Sequence, residues 1–258
     1  MSQAYTDKEM MALAAGRLVS DGDILFAGTG LSMLAATVAR RIHAPRAHVF
    51  FETGGIDPAL AELPMAVADP RVMVGTAMNS GLLDAFSILM HRRLRTIAFL
   101  GAAQIDAYGN INSTCLGDYQ RPRVRFPGCG GACDAMSQAY GVILFMQQDK
   151  KRFVEKVDYI SSPGWLGGGQ ARRQAGYTRG GPLAVVTNLG VMKFDDESKR
   201  MYLAERYPGV SLEKIARNTG FELDCSRAVE AAPPSARELK TLREDVDPDR
   251  LILGPLPA

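Results

Sequence analysis

Val49-Phe50-Phe51-Glu52-Thr53-Gly54-Gly55 sets a lone carboxylate between an apolar run and a pair of glycines. Val-Phe-Phe is β-prone and predicts a buried strand. The glycines predict a sharp turn after it, so Glu52 is expected at the strand's C-terminal edge. In open α/β sheets, ligands bind just outside those edges. An ionised carboxylate is costly to bury without a partner. Glu52 is therefore either capped by the amide N–H groups of its own turn or used in chemistry. Taken alone, the capped glutamate is the simpler reading, and the decision falls to the rest of the chain.

Working outward, helix and strand patterns alternate. Thr6-Asp7-Lys8-Glu9 reads as a capping box, with Met10, Leu13, Ala14 and Leu18 following at helical spacing. Ile24 to Ala27 reads as a strand, Gly28-Thr29-Gly30 as a turn and Leu31 to Arg41 as a helix. Ala47 to Phe51 delivers Glu52. Further helices are expected over Leu82 to His91, after Ser211, and over Ser235 to Asp245. Further strands are expected over Thr96 to Leu100, Val142 to Met146, Val157 to Ile160 and Leu183 to Val186, with a hairpin about Asn188-Leu189-Gly190. The alternation predicts one open α/β domain across residues 1–258.

Composition narrows the function classes. Hydrophobic residues are 47% and charged residues 22% of the 258, as in an ordinary globular protein with a full core. A net charge of +2 supplies no global field toward nucleic acid or membrane. No run approaches the ~20 apolar residues of a membrane helix. Met1 to Tyr5 is polar, so no signal peptide is expected. Four cysteines in so long a chain do not build a disulfide framework, and a reducing cytoplasm fits. Cys129 and Cys133 lack a second ligand pair, so no metal site is expected.

Three glycine-rich loops compete as ligand cradles. Gly28-Thr29-Gly30 fails the dinucleotide pattern because the third glycine position holds Met33. No Gly-Lys-Ser/Thr occurs, which excludes a phosphate-cradling P-loop. The second loop runs from Gly101 to Asn110 and the third is Gly128-Cys129-Gly130-Gly131-Ala132-Cys133-Asp134. Small residues there allow close approach to the backbone, whose amides can hold a developing oxyanion.

Together with the Glu52 stretch, these loops resemble the B-type half of the family I coenzyme A transferases, the glutaconate branch above all. The likeness continues through Ala27-Gly28-Thr29-Gly30-Leu31, Asn110-Ile111-Asn112-Ser113-Thr114, Gly117-Asp118-Tyr119, Ser162-Pro163-Gly164-Trp165, Lys193-Phe194-Asp195 and Asn218-Thr219-Gly220-Phe221. One departure is visible. Many family members set the glutamate in Ser-Glu-Asn-Gly, where this chain has Phe51-Glu52-Thr53-Gly54. The resemblance implies the family fold, an A-type partner chain, and Glu52 as a nucleophile toward an acyl-CoA thioester. It implies no tightly bound cofactor, coenzyme A arriving as part of the substrate. In that frame Gly101, Ala102, Thr53 and Gly54 are expected around the oxyanion and substrate, with Gln104 orienting its loop. Gly130 and Gly131 are expected against CoA.

Other readings stay open. On the same fold, Glu52 as a general base would serve a CoA-ester hydrolase, a C–C bond hydrolase or a decarboxylase. A sugar-phosphate-sensing regulator is a non-enzymatic alternative, though no DNA-binding helix pair or basic arm is evident. His43, His48 and His91 fall in no catalytic spacing. Arg121, Arg123 and Arg125 alternate as on one face of a strand and read as a solvated face, with CoA phosphates or a substrate carboxylate as alternatives. Gly164 to Gly181 carries seven glycines with Arg172, Arg173 and Arg179, and reads as a mobile loop, a lid or subunit contact, with a plain surface loop as an equal alternative.

Overall fold

Buried parallel strands need apolar residues on both faces, and Leu25-Phe26 and Val49-Phe50 meet that need. In the computed structural model, which describes residues 5–60 and 62–255, the chain divides into two compact units. One is Met1–Phe99 with Pro233–Ala258, and the other is Leu100–Ala232.

The first unit opens with α1 (Asp7–Gly16), entered through the expected Thr6/Glu9 capping box. β1 (Ile24–Phe26), α2 (Leu31–Ile42) and β2 (His48–Phe50) follow. Then come β3 (Gly55–Ile56), a 3-10 turn (Pro70–Met73), β4 (Met78–Asn79), α3 (Leu82–Met90) and β5 (Thr96–Gly101), whose last two residues begin the second unit. β1 pairs in parallel with both β2 and β5, placing Leu25 opposite Val49 and Ile97. β3 turns back antiparallel on β2, and β4 on β3. Leu25, Phe50, Phe51, Ile97 and Ala98 are sealed from solvent, as are Met33 to Ala36 on α2. α1 and α2 pack so closely that a Cβ on Gly16 would lie 3.0 Å from Val38 Cγ1.

A buried acid ties the C-terminal segment to α1. Glu9 is fully buried, and its carboxylate accepts from Arg243 Nε (2.8 Å), Arg243 Nη2 (3.0 Å) and Arg250 Nη1 (3.2 Å). Burial alone would raise its pKa, but the two guanidiniums and the Thr6 amide hold it down at about 2. The expected terminal helix is shorter than its pattern, covering Ala236–Lys240 before a wider turn over Thr241–Val246.

The second unit begins with two small hairpins, β6 (Gln104–Ile105) with β7 (Ile111–Asn112), and β8 (Cys115–Leu116) with β9 (Val124–Arg125). α4 (Ala132–Gln138), β10 (Gly141–Met146), α5 (Ala171–Gln174), β11 (Pro182–Thr187), β12 (Gly190–Phe194), β13 (Met201–Arg206), α6 (Leu212–Arg217) and β14 (Val229–Glu230) complete it. The hairpin expected about Asn188 is the antiparallel β11–β12 pair. Val157 to Ile160 is not a strand, because the Asp158 amide donates to the Gln104 side chain (3.1 Å) and Tyr159 stacks on Tyr119. Segment 164–181, expected as a mobile loop, contains α5 and is organised around Arg172. That side chain is buried and donates to the carbonyls of Pro163, Gly164, Met136 and Arg179.

Candidate active site

β2 ends at Phe50, and its chain reverses into β3 through Glu52-Thr53-Gly54. The Phe51 amide donates to Gly55 O (2.9 Å), and the Gly54 amide donates back to Phe51 O (3.0 Å). This is a three-residue hairpin loop whose last position takes a left-handed backbone, met here by Gly54 at φ 103°. Glu52 stands first in the loop, at the strand edge where it was expected. Phe51 behind it is fully buried, while Glu52 is half-buried. Its carboxylate makes no hydrogen bond or ion pair among the described residues, so the turn's own amides do not cap it.

The hairpin loop is braced from two distant segments. Thr53 Oγ1 donates to Val67 O (3.1 Å). Ser80 gives both its amide (3.0 Å) and its hydroxyl (3.1 Å) to Gly54 O. The packing is tight: a Cβ on Gly54 would lie 1.9 Å from Ser80 O, and one on Gly55 2.2 Å from Val72 O. The loop after parallel neighbour β1, Gly28-Thr29-Gly30, leaves the same sheet edge and caps α2 through Gly30.

In the second unit, Gly101 is exposed at the end of β5 and Ala102 is half-buried beyond it. Gln104 is buried and fully engaged. Its Oε1 accepts from Asn112 Nδ2 (2.7 Å) and the Asp158 amide (3.1 Å), and its Nε2 donates to Asp158 Oδ2 (3.3 Å). Its side chain thus holds the loop after Gly101. Asn110 holds a neighbouring loop, donating to Asp106 and Leu166 O while accepting from the Gly164 and Leu166 amides. Burial raises the pKa of Asp106, opposed by its bonds from Asn110 and the Tyr108 amide. Gly130 is exposed with a left-handed backbone (φ 49°), and Gly131 caps α4.

The expected site residues therefore fall into three groups: Glu52, Thr53 and Gly54 in one loop, Gly101, Ala102 and Gln104 at one strand end, and Gly130 and Gly131 at one helix start. Sequence reasoning misses Ser80, Val67 and Asp158. Each acts from far along the chain, and only the Asn79-Ser80-Gly81 turn signal marks one of them.

The remaining candidate residues lie outside the Glu52 loop. His43 and His91 end α2 and α3. Cys129 and Cys133 are half-buried. Burial and the neighbouring Cys129 raise the pKa of the Cys133 thiol, which disfavours the nucleophilic thiolate. Arg121, Arg123 and Arg125 are exposed, with only Arg125 on a strand, where it covers Tyr119.

The chain belongs to the coenzyme A transferase family, whose profile covers residues 8–218. It is 42% identical to the B-type chain of glutaconate CoA-transferase from Acidaminococcus fermentans, over 96% of this chain and 95% of that one. The crystal structure of glutaconate coenzyme A-transferase from that organism superposes with a TM-score of 0.94 at 40% identity, covering 98% of this chain and 99% of the other. The chain is also 35% identical to the B-type chain of 3-oxoadipate CoA-transferase from Pseudomonas knackmussii, over 93% of both. Identity falls to 29% with a chain of the cholesterol ring-cleaving hydrolase of Mycobacterium bovis, over 95% and 96%.

Proposed function

We propose that this chain is the B-type subunit of a CoA-transferase that moves CoA between a short dicarboxylic acyl-CoA, such as glutaconyl-CoA, and an acceptor acid, with Glu52 as the covalent nucleophile. The observation that carries this reading is the Glu52 carboxylate itself, half-buried at the tip of a braced hairpin and without a hydrogen-bond partner among the described residues. Uncapped by its own turn, that carboxylate remains available to a substrate.

The chemistry suits such a group. The Glu52 carboxylate attacks the acyl-CoA carbonyl and expels CoA thiolate, leaving an acyl-glutamyl anhydride. The thiolate then attacks the glutamyl carbonyl, expelling the donor acid and leaving a glutamyl-CoA thioester. An acceptor carboxylate attacks that thioester and reverses the sequence. Each step exchanges acyl bonds of similar energy, so the cycle consumes no ATP and calls for no metal. Amides around Gly101 and Ala102 would hold the oxyanions, in a loop kept in place by Gln104, and removing one such donor costs about 3 kcal/mol. Gly130 and Gly131 would let CoA lie against the backbone.

The remainder of the site is assigned to an A-type partner. Met65, Val74, Met78, Leu82 and Leu83 are large apolar side chains of the first unit, each more than half exposed. Exposed apolar residues in such number support a covering partner. All four cysteines are free, which supports a reducing, cytoplasmic setting.

Acceptor dependence tests transfer against hydrolysis. The complete enzyme should form acetyl-CoA in step with loss of the donor acyl-CoA when acetate is added, with no net release of free CoA, and label from acceptor carboxylate oxygen should reach Glu52 or the released acid. Rapid CoA release without acceptor, with solvent oxygen alone entering the product, would assign Glu52 to water activation instead.

A further inference from the structure

Resting on the reading of Glu52 as nucleophile, we propose that Thr53 and Ser80 are positioning residues whose hydroxyls brace the Glu52 loop from two sides and aim its carboxylate. Nothing among the described residues holds that carboxylate directly, so the region it can reach is set by the peptide units that place its Cα and Cβ. Those units carry two outside braces. Thr53 Oγ1 reaches Val67 O, 14 residues away, and Ser80 Oγ reaches Gly54 O, 26 residues away.

Both hydroxyls are separable from the fold. The Ser80 amide keeps its own bond to Gly54 O when the hydroxyl is removed. The β2–β3 and β3–β4 pairings, Phe50 with Ile56 and Gly55 with Asn79, involve neither hydroxyl. Among the described residues, the bond to Val67 O is the only one the Thr53 side chain makes. What the hydroxyls add is lateral restraint on a short loop. A covalent nucleophile is sensitive to that restraint, since misplacement by ~1 Å costs about 100-fold in rate.

The test uses the complete enzyme, this chain with its A-type partner, carrying Thr53→Val, Thr53→Ser, Ser80→Ala or Thr53→Val with Ser80→Ala. The glutamyl-CoA adduct is trapped with borohydride on a millisecond time base, alongside steady-state kcat and KM and the thermal midpoint. Each hydroxyl deletion should slow adduct formation about tenfold, and the pair about 100-fold, with KM within about twofold of the parent. Thr53→Ser, which keeps the hydroxyl, should recover the rate to within about twofold of the parent.

Adduct formation at the parental rate in the double variant would overturn the proposal. So would equal losses in Thr53→Val and Thr53→Ser, or a loss expressed only as a lowered thermal midpoint. If the double variant does not assemble, the single variants decide by the same criteria. An adduct mapped to another residue in the unaltered enzyme would instead overturn the nucleophile assignment, which keeps the two failures apart.

Discussion

Position 54 tolerates no side chain, because a Cβ there would lie 1.9 Å from the Ser80 carbonyl oxygen and the backbone sits at φ 103°. Gly54→Ala must move backbone on one side or the other and so displace Glu52. The expected result is a fall in kcat of about 100-fold or more, with a stability loss of roughly 1–3 kcal/mol in urea titration. Near-parental kcat in this variant would mean that the loop's conformation is unimportant to the reaction. At this scale the sequence is informative where chemistry is local. A carboxylate between a β-prone run and Gly54-Gly55 announces an edge and a turn. The braces are illegible because Val67 contributes only a carbonyl, and Ser80 lies 26 residues from the oxygen it binds.

Among the elements, the apolar runs read most clearly. β1, β2, β5 and β10 are sealed by Leu25, Phe50, Ile97 and Leu144, residues that a one-dimensional pattern exposes at once. The two-residue strands β3, β4, β6 to β9 and β14 are too short to carry a period, and their pairing depends on partners. Val157 to Ile160 shows the converse. Its composition suits a strand, but Asp158 gives its amide to the Gln104 side chain, and its carboxylate accepts from the Gly117 amide. Side-chain bonds to backbone thus replace a ladder.

Segment 164–181 reads as loop by glycine content, yet it closes around one cation. Arg172 is 3% exposed, its guanidinium lies over Tyr177, and burial pulls its pKa down to about 10. Arg172→Met would leave carbonyls of Pro163, Gly164, Met136 and Arg179 without that donor. A loss of roughly 3 kcal/mol or more is expected in chemical denaturation. Lysine should rescue only partly, because a point ammonium cannot reproduce the guanidinium fork. A variant as stable as the parent would show that water serves those carbonyls equally well.

For the whole molecule, Glu9 sets an acid limit. Its pKa falls from the ordinary carboxylate value of 4.5 in the unfolded chain to about 2 when folded. A depressed carboxylate contributes stability above the unfolded pKa, and that contribution drains away as pH falls through the folded one. The Glu9 contribution should therefore be full at neutral pH and lost between about pH 4.5 and 2. Arg243→Ala should flatten that limb of the stability–pH curve and leave the neutral protein roughly 3 kcal/mol less stable. An unchanged acid limb would remove Glu9 as its cause.

As the proposed nucleophile, Glu52 should become covalently attached to CoA during turnover. The most direct measurement is mass spectrometry of the complete enzyme after incubation with its acyl-CoA and reduction with borohydride. A reduced glutamyl residue at position 52 is expected, with loss of activity in proportion to it and neither in Glu52→Gln. Modification elsewhere in the chain, or full turnover by Glu52→Gln, would contradict it.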